Sequence, residues 1–395
     1  MNRYARVGTA AVLLAAGLLL PATPAAAAPP GFPDCGKAIT DQLDHTPWPL
    51  RRLQPSQAWP LSRGAGVTVA VIDSGLSTTH PKLAGQLLPG VDLVPPGENG
   101  QCDNSHGTLV ASIIAGRDTR DAPFSGVAPD ARILPIRVVP NDQTSNSPEL
   151  PTRIANAIRY AVDHGAKVIN LSLYTVPTQA VAEAVQYAIH SNVVVVAASG
   201  NTGGSQNGSN PVYPAAYDGV LAVGGTDEND HHVSQSTSGD YVNIAAPGVN
   251  IEGPAPRGGG YGRDAAGGTS FAAAYVSGVA ALIRSYNPTL PAFNVIRRLE
   301  ETADAPPEGR NNDVGFGVVN PYRAVSTIFD PRANPTPAYT GQLPDPRSES
   351  DPVALAKRVA AWVVPGGLLL TVVLLSARGI AARGRRRGWR PGPIR

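Results

Sequence analysis

Gly267-Gly268-Thr269-Ser270-Phe271-Ala272-Ala273-Ala274, continuing through Val276, Val279, Ala280 and Ile283, is the stretch on which the reading of this chain turns. The paired glycines permit a sharp turn and a close approach to another segment. Beyond them the run is rich in alanine, with apolar residues at helical spacing and the small Ser277 and Gly278 where a neighbour would pack tightly. The pattern predicts a helix over Ser270 to Tyr286. A hydroxyl at its start lies near the positive end of the helix, beside backbone N–H groups that have no intrahelical partner. That environment suits a nucleophile whose reaction generates an oxyanion. An ordinary helix cap is the alternative reading of Thr269 and Ser270, since these residue types are common caps.

Upstream, Val67 to Asp73 reads as a buried strand, nearly continuous in β-branched residues. Similar runs recur at Ile133 to Val139, Lys167 to Leu173, Asn192 to Ala198, Val220 to Gly224 and Val242 to Ala246. Helical patterns fall between several of them, at His106 to Ala115, Leu150 to His164 and Thr178 to His190. A further helix is expected over Pro291 to Thr302, and the domain closes near Tyr322 to Ile328. Strands alternating with helices predict an α/β fold, a mostly parallel twisted sheet covered on both faces, with right-handed crossovers.

The chain has 395 residues, enough for one large α/β domain with appendages or for two domains. Its 32 basic and 30 acidic residues nearly cancel, so no general affinity for nucleic acid is implied. The two ends are not ordinary globular sequence. Residues 1–28 read as a secretory signal: Arg3 and Arg6, an apolar core from Ala10 to Leu20, and small residues at Ala25 to Ala28. Residues 359–377 are uncharged and mostly apolar, long enough to cross a bilayer. Arginines dominate residues 378–395, and the positive-inside rule places that tail in the cytoplasm and the bulk of the chain outside. Residues 331–358 are rich in Pro, Ser, Asp and Arg and read as an exposed linker. Cys35 and Cys102 are the only cysteines. Outside the cytoplasm a pair is most economically a disulfide, here closing a loop of about 65 residues, for which chain entropy suggests about 4 kcal/mol. No histidine near them has metal-ligand spacing, and no cofactor is expected.

Two more stretches carry chemistry. Val71-Ile72-Asp73-Ser74-Gly75 ends a buried strand on a carboxylate, where parallel sheets gather ligands. Asp103-Asn104-Ser105-His106-Gly107-Thr108 puts a histidine at the start of a helix. Asp73 alone reads as a turn residue and His106 alone as a capping group. With Ser270 they form the order Asp…His…Ser, one of three known orders of the catalytic triad.

The Val-Ile-Asp-Ser-Gly, His-Gly-Thr and Gly-Thr-Ser-Phe-Ala segments resemble the three active-site signatures of the subtilase family of serine proteases, and the likeness extends from Gly66 to about Ala324. The resemblance implies a subtilisin-like fold and a serine endopeptidase acting on polypeptides. In it Ser270 attacks, His106 moves the proton and Asp73 orients the imidazole. Ala197-Ala198-Ser199-Gly200-Asn201 is similar to the family segment that carries the oxyanion asparagine, which implies that role for Asn201. Ser172-Leu173-Tyr174 and Ala198-Ser199-Gly200 correspond to the family's two substrate-binding edges, where an extended peptide adds as a strand. Relatives commonly carry glycine where this chain has Tyr174, so a narrowed or covered specificity pocket is expected. His80 is expected to be structural, the pair His231-His232 to lie on an exposed loop, and Gly116 to Phe124 to be too short for the family's calcium loop.

About 45 residues separate the signal from Asp73, too few for the usual folding pro-domain. Residues 29–66 are instead expected to wrap the catalytic domain (67–330) as an extension pinned by Cys35 and Cys102, with Trp48 and Trp59 as anchors. That extension, the Pro-rich linker, the membrane helix and the arginine tail are together similar to the mycosins, membrane-anchored subtilases of type VII secretion systems. The likeness implies association with a secretion channel complex at the cell membrane and cleavage of a few secreted substrates. The alternatives are a chain that mainly stabilises such a complex and a general protease retained at the membrane.

Overall fold

A computed structural model describes residues 35–95, 103–141, 147–203, 211–328, 373 and 375–388. The secretory signal, the Pro-rich linker, Cys102 and most of the apolar stretch at 359–377 lie outside the described residues. Among the described residues no helix is long and apolar enough to cross a membrane. Residues 375–386 are helical and carry the first arginines of the tail.

The chain order is α1 (Trp48–Leu53), β1 (Thr68–Asp73), β2 (Val91–Asp92), α2 (Ser105–Ala115), β3 (Arg132–Arg137), α3 (Leu150–Asp163), β4 (Val168–Leu171), α4 (Gln179–His190), β5 (Val194–Ala198), β6 (Leu221–Thr226) and β7 (Ile244–Pro247). A hairpin of β8 (Ile251–Pro254) and β9 (Tyr261–Asp264) follows, then α5 (Thr269–Tyr286), α6 (Ala292–Glu301) and α7 (Pro321–Ser326). Seven strands form one sheet in the order β2-β3-β1-β4-β5-β6-β7, each neighbouring pair parallel. Every strand and helix expected within residues 67–330 is present, with ends displaced by at most two residues. The expectation did not include the β8–β9 hairpin, whose short strands hold Gly253, Pro254 and Gly262 and show no apolar alternation.

The period of two along each strand divides the core. Val69 and Val71 of β1 enter one apolar cluster with α2 and α5, while Ala70 and Ile72 enter another with α3 and α4. Helices α3 and α6 are amphipathic and bury one face each, whereas α5 is buried from Thr269 to Arg284. A helix enclosed on all sides reads as apolar or small all round, which accounts for its alanines. At Gly278 an added Cβ would lie 2.6 Å from the Cβ of Val127, so the small residue sets how closely α5 approaches that segment. The chain runs from β1 to β2 and β3 on one side of the sheet and then to β4 on the other. The carboxyl ends of β1 and β4 therefore flank a topological switch point, where such folds place ligands.

Residues 35–66 lie against the domain. The Ile39 N–H donates to Arg257 O at 2.9 Å, and the Gly260 and Tyr261 N–H groups donate to Ile39 O and Asp41 O at 3.0 and 2.8 Å. The Trp48 indole donates to Val249 O at 3.0 Å and the Trp59 indole to Val127 O at 3.0 Å, so both tryptophans anchor the segment. Leu50 and Leu53 of α1 join the main core, so the extension contributes apolar packing as well as its tryptophan anchors. Among the described residues no cysteine is free, Cys35 included.

Candidate active site

The turn after β1 and the start of α2 are brought together by small residues. A Cβ on Gly107 would lie 2.0 Å from the carbonyl oxygen of Gly75, so only glycine permits this approach. Thr108 secures the junction: its hydroxyl accepts from the Ser77 N–H at 2.8 Å and donates to Asn104 O at 2.7 Å. The consequence is a 2.8 Å hydrogen bond between His106 Nδ1 and Asp73 Oδ1. Asp73 is 3% exposed and its Oδ1 also accepts the Ser74 N–H at 2.7 Å. A carboxylate accepts only, so Nδ1 carries the proton and neutral His106 keeps its lone pair on Nε2. The His106 ring packs on Phe271 at a centroid distance of 5.3 Å, which ties it to α5.

Ser270, 8% exposed, is held in place from β4. Its hydroxyl donates to the Ser172 carbonyl at 3.2 Å, and the Ser172 hydroxyl donates to the Ser270 carbonyl at 2.7 Å. Behind this exchange the Asn170 side-chain amide donates to Ser172 Oγ at 2.8 Å, and Ser277 Oγ donates to Asn170 Oδ1 at 2.9 Å. Asn170 and Ser277 are fully buried, so the network clamps the end of β4 to two points of α5 about two turns apart. Neither residue was expected. Asn170 alternates with apolar neighbours inside a strand, and Ser277 had been read only as a small packing residue.

Asn201 is oriented by Thr269. Its Oδ1 accepts from the Thr269 N–H and hydroxyl, both at 2.9 Å, which turns Nδ2 toward Gly268. Gly267 has φ 70°, and its Cβ would lie 2.1 Å from Gly248 O, so the turn before Ser270 requires glycine there.

His106, Ser172, Leu173, Tyr174, Ala198, Gly200, Asn201 and Ser270 share the wall of one cavity of about 270 Å³. Asp73 lies behind His106, away from the wall. Ser199 is also off it: the pleat turns its side chain into the core between Ala198 and Gly200, and its carbonyl accepts from the Tyr241 hydroxyl at 2.9 Å. Tyr174 is 42% exposed and stands between this cavity and a second hollow of about 450 Å³ bounded by Val176, Pro177, Val212 and Tyr213. Three further wall residues, Val139, Leu150 and Asp264, were not expected at the site: Val139 follows β3, Leu150 opens α3 and Asp264 closes β9, positions that carry no local mark of a site. His80 is buried: its ring contacts Gly260 O at 3.2 Å and accepts the Lys82 N–H at 3.1 Å, and burial lowers its pKa. His231 is exposed, on a loop closed by Asp227.

A model of the subtilase family matches residues 64–317. Thermitase of Thermoactinomyces vulgaris is 40% identical over 276 residues, covering 70% of this chain and 94% of the relative. Mycosin-4 of Mycobacterium tuberculosis is 36% identical over 373 residues, 84% of this chain and 81% of the relative. Among solved structures, the MycP3 protease from the type VII (ESX-3) secretion system superposes with a TM-score of 0.64 at 35% identity, covering 73% of this chain and 91% of that one. A chain of an intact ESX-5 inner membrane complex gives a TM-score of 0.63 at 32% identity, covering 88% and 92%.

Proposed function

The chain belongs to the subtilase family, and from that premise we propose that Asp73, His106 and Ser270 are the catalytic residues of a mycosin-like serine endopeptidase that cuts secreted proteins. The observation that carries the assignment is the 2.8 Å bond from His106 Nδ1 to buried Asp73, in an imidazole that shares a cavity with Ser270.

Rotation of Ser270 about its Cα–Cβ bond takes the hydroxyl from the Ser172 carbonyl toward Nε2 of His106. As Ser270 Oγ attacks the scissile carbonyl carbon, Nε2 accepts its proton. Asp73 keeps the ring in the Nδ1–H tautomer and stabilises the imidazolium. The tetrahedral oxyanion is received by the Ser270 backbone N–H and by Nδ2 of Asn201, whose amide orientation is set by its two bonds to Thr269. Collapse expels the amine, protonated by His106, and water then hydrolyses the acyl-enzyme with the same base. Ser172–Tyr174 and Ala198–Gly200 supply the edges for an extended substrate.

The enzyme works outside the cytoplasmic membrane, tethered through residues 359–377 with its arginine tail inside, and Cys35 and Cys102 pair to pin the extension. The apolar run and the arginine asymmetry support that topology. It works in association with a type VII secretion complex, a reading supported by its likeness to the MycP3 protease and to the chain within the ESX-5 inner membrane complex.

Ser270→Ala is expected to abolish turnover, a loss of about 10⁶-fold, and to abolish labelling by an active-site serine probe, with thermal stability retained. Undiminished labelling would refute the assignment. The match to a membrane complex favours a second role, stabilising that assembly. Secretion restored to a deletion strain by Ser270→Ala would establish that role as separable from catalysis.

A further inference from the structure

The catalytic cavity is chemically lopsided. Val139 and Leu150 form one flank, immediately after β3 and at the start of α3, and neither carries a polar side chain. Asp264 and Gly267 form the other flank. The Gly268 N–H donates to Gly248 O at 2.7 Å, which ties this flank to the end of β7, several strands across the sheet from β3. Among the described residues Asp264 is the one carboxylate on the cavity wall, and no lysine or arginine shares that wall. Its Oδ1 accepts the Gly267 N–H at 2.8 Å, and the residue is partly exposed. The neighbouring cation does not neutralise it. Arg263 precedes it on β9 and so points to the opposite face, where its guanidinium donates to Asn250 Oδ1 at 2.9 Å.

We propose that Asp264 is a specificity determinant that selects a lysine or arginine side chain on the part of the substrate crossing the β7 end of the cleft. A carboxylate on the wall of a cleft whose other side chains there carry no full charge leaves a negative field that a passing peptide must answer. Lysine and arginine have the reach and the donors to do so. A substrate with aspartate or glutamate at that position meets like charge and is rejected. Among the described residues the flank at Val139 and Leu150 puts no carboxylate on the cavity wall, so the preference has a direction along the bound chain.

This selectivity rests on the endopeptidase reading, and the test separates the two. The full-length enzyme and its Asp264→Asn variant are given a proteome-derived peptide library, and the cleaved bonds are read by mass spectrometry. Matched peptides differing only by lysine or glutamine at the enriched position are then compared by kcat/KM. Asparagine keeps an oxygen for the Gly267 N–H and removes only the charge, so the turn before Ser270 is preserved. The wild type is expected to enrich lysine or arginine at one position near the cleaved bond and to favour the cationic peptide about five- to tenfold. That ratio should shrink at high salt, fall to near one in Asp264→Asn, and shift toward acidic residues in Asp264→Lys. Labelling by an active-site serine probe verifies that each variant retains an assembled site. Cleavage without cationic enrichment, or enrichment unchanged in Asp264→Asn, overturns the proposal and leaves the endopeptidase standing. Absence of both cleavage and labelling in the wild type removes the endopeptidase reading, and this one with it.

Discussion

The two ends of α2 are each attached to a buried polar cluster, and the clusters are built to opposite purposes. Past the C-terminal end, the Lys82 side chain is fully buried and its ammonium donates to Thr119 Oγ1 at 2.7 Å, Asp121 Oδ1 at 3.2 Å, Thr119 O at 3.3 Å and Ala122 O at 3.4 Å. Three protons meet four acceptors, and the Thr119 hydroxyl, with Lys82, holds the Asp121 carboxyl below the usual range. At the N-terminal end, Asp73 Oδ2 is buried with no hydrogen-bond partner among the described residues, and the Ser270 hydroxyl rests on a 3.2 Å bond. A saturated cluster holds the chain together; a cluster with spare polar capacity is reserved for chemistry. Changes at the first should cost stability, and changes at the second should cost rate.

The sharpest way to break this contrast is Asp73→Asn. It should lower kcat by about 10⁴-fold through the wrong histidine tautomer, with little change in unfolding midpoint; a large drop in that midpoint would show that Asp73 holds the fold. Asn201→Ala should cost about 10²–10³ in kcat with KM nearly constant, so a loss confined to KM would remove Asn201 from the oxyanion site. Lys82→Met inverts the expectation. Stability measured by urea titration should fall by about 2–3 kcal/mol, because four oxygens lose their donor, while kcat stays within about threefold.

Glu300 sharpens the comparison with a half-buried carboxyl that is not part of the active site. Burial raises its pKa to about 6 from 4.5, opposed by a 2.9 Å bond from Asn243. The folded state therefore prefers the protonated acid, and this contribution is full below pH 4.5 and lost as pH rises through 6. Glu300→Gln should stabilise the protein by about 2 kcal/mol at pH 8 and not at pH 4. Equal effects at both values would mean that the side chain titrates normally.

Much of this was legible in the residues. The strands β1 and β5 are buried on both faces and so read as nearly unbroken apolar runs, and α3 and α4 keep a helical period. Asp73 and Ser270 each sit where an element meets a glycine turn and His106 opens a helix, so all three stood out as candidates. The hairpin that delivers Asp264 was not, since glycine and proline in β8 and a backbone pairing with β9 leave no periodic trace. Asn170 and Ser277 were hidden because their partners lie 107 residues apart and a buried hydrogen bond has no local signature.

The attachment of the N-terminal segment bears on how the enzyme can be handled in the laboratory. The family match begins at residue 64, yet Leu50 and Leu53 fill the core, and Ile39 and Asp41 bond to the rim of the hairpin that leads into the turn before Ser270. A recombinant fragment trimmed to the matched region would expose that apolar seat and unpair the hairpin's outer edge, inviting aggregation. The workable unit for expression begins upstream of Ile39, and affinity tags belong ahead of it.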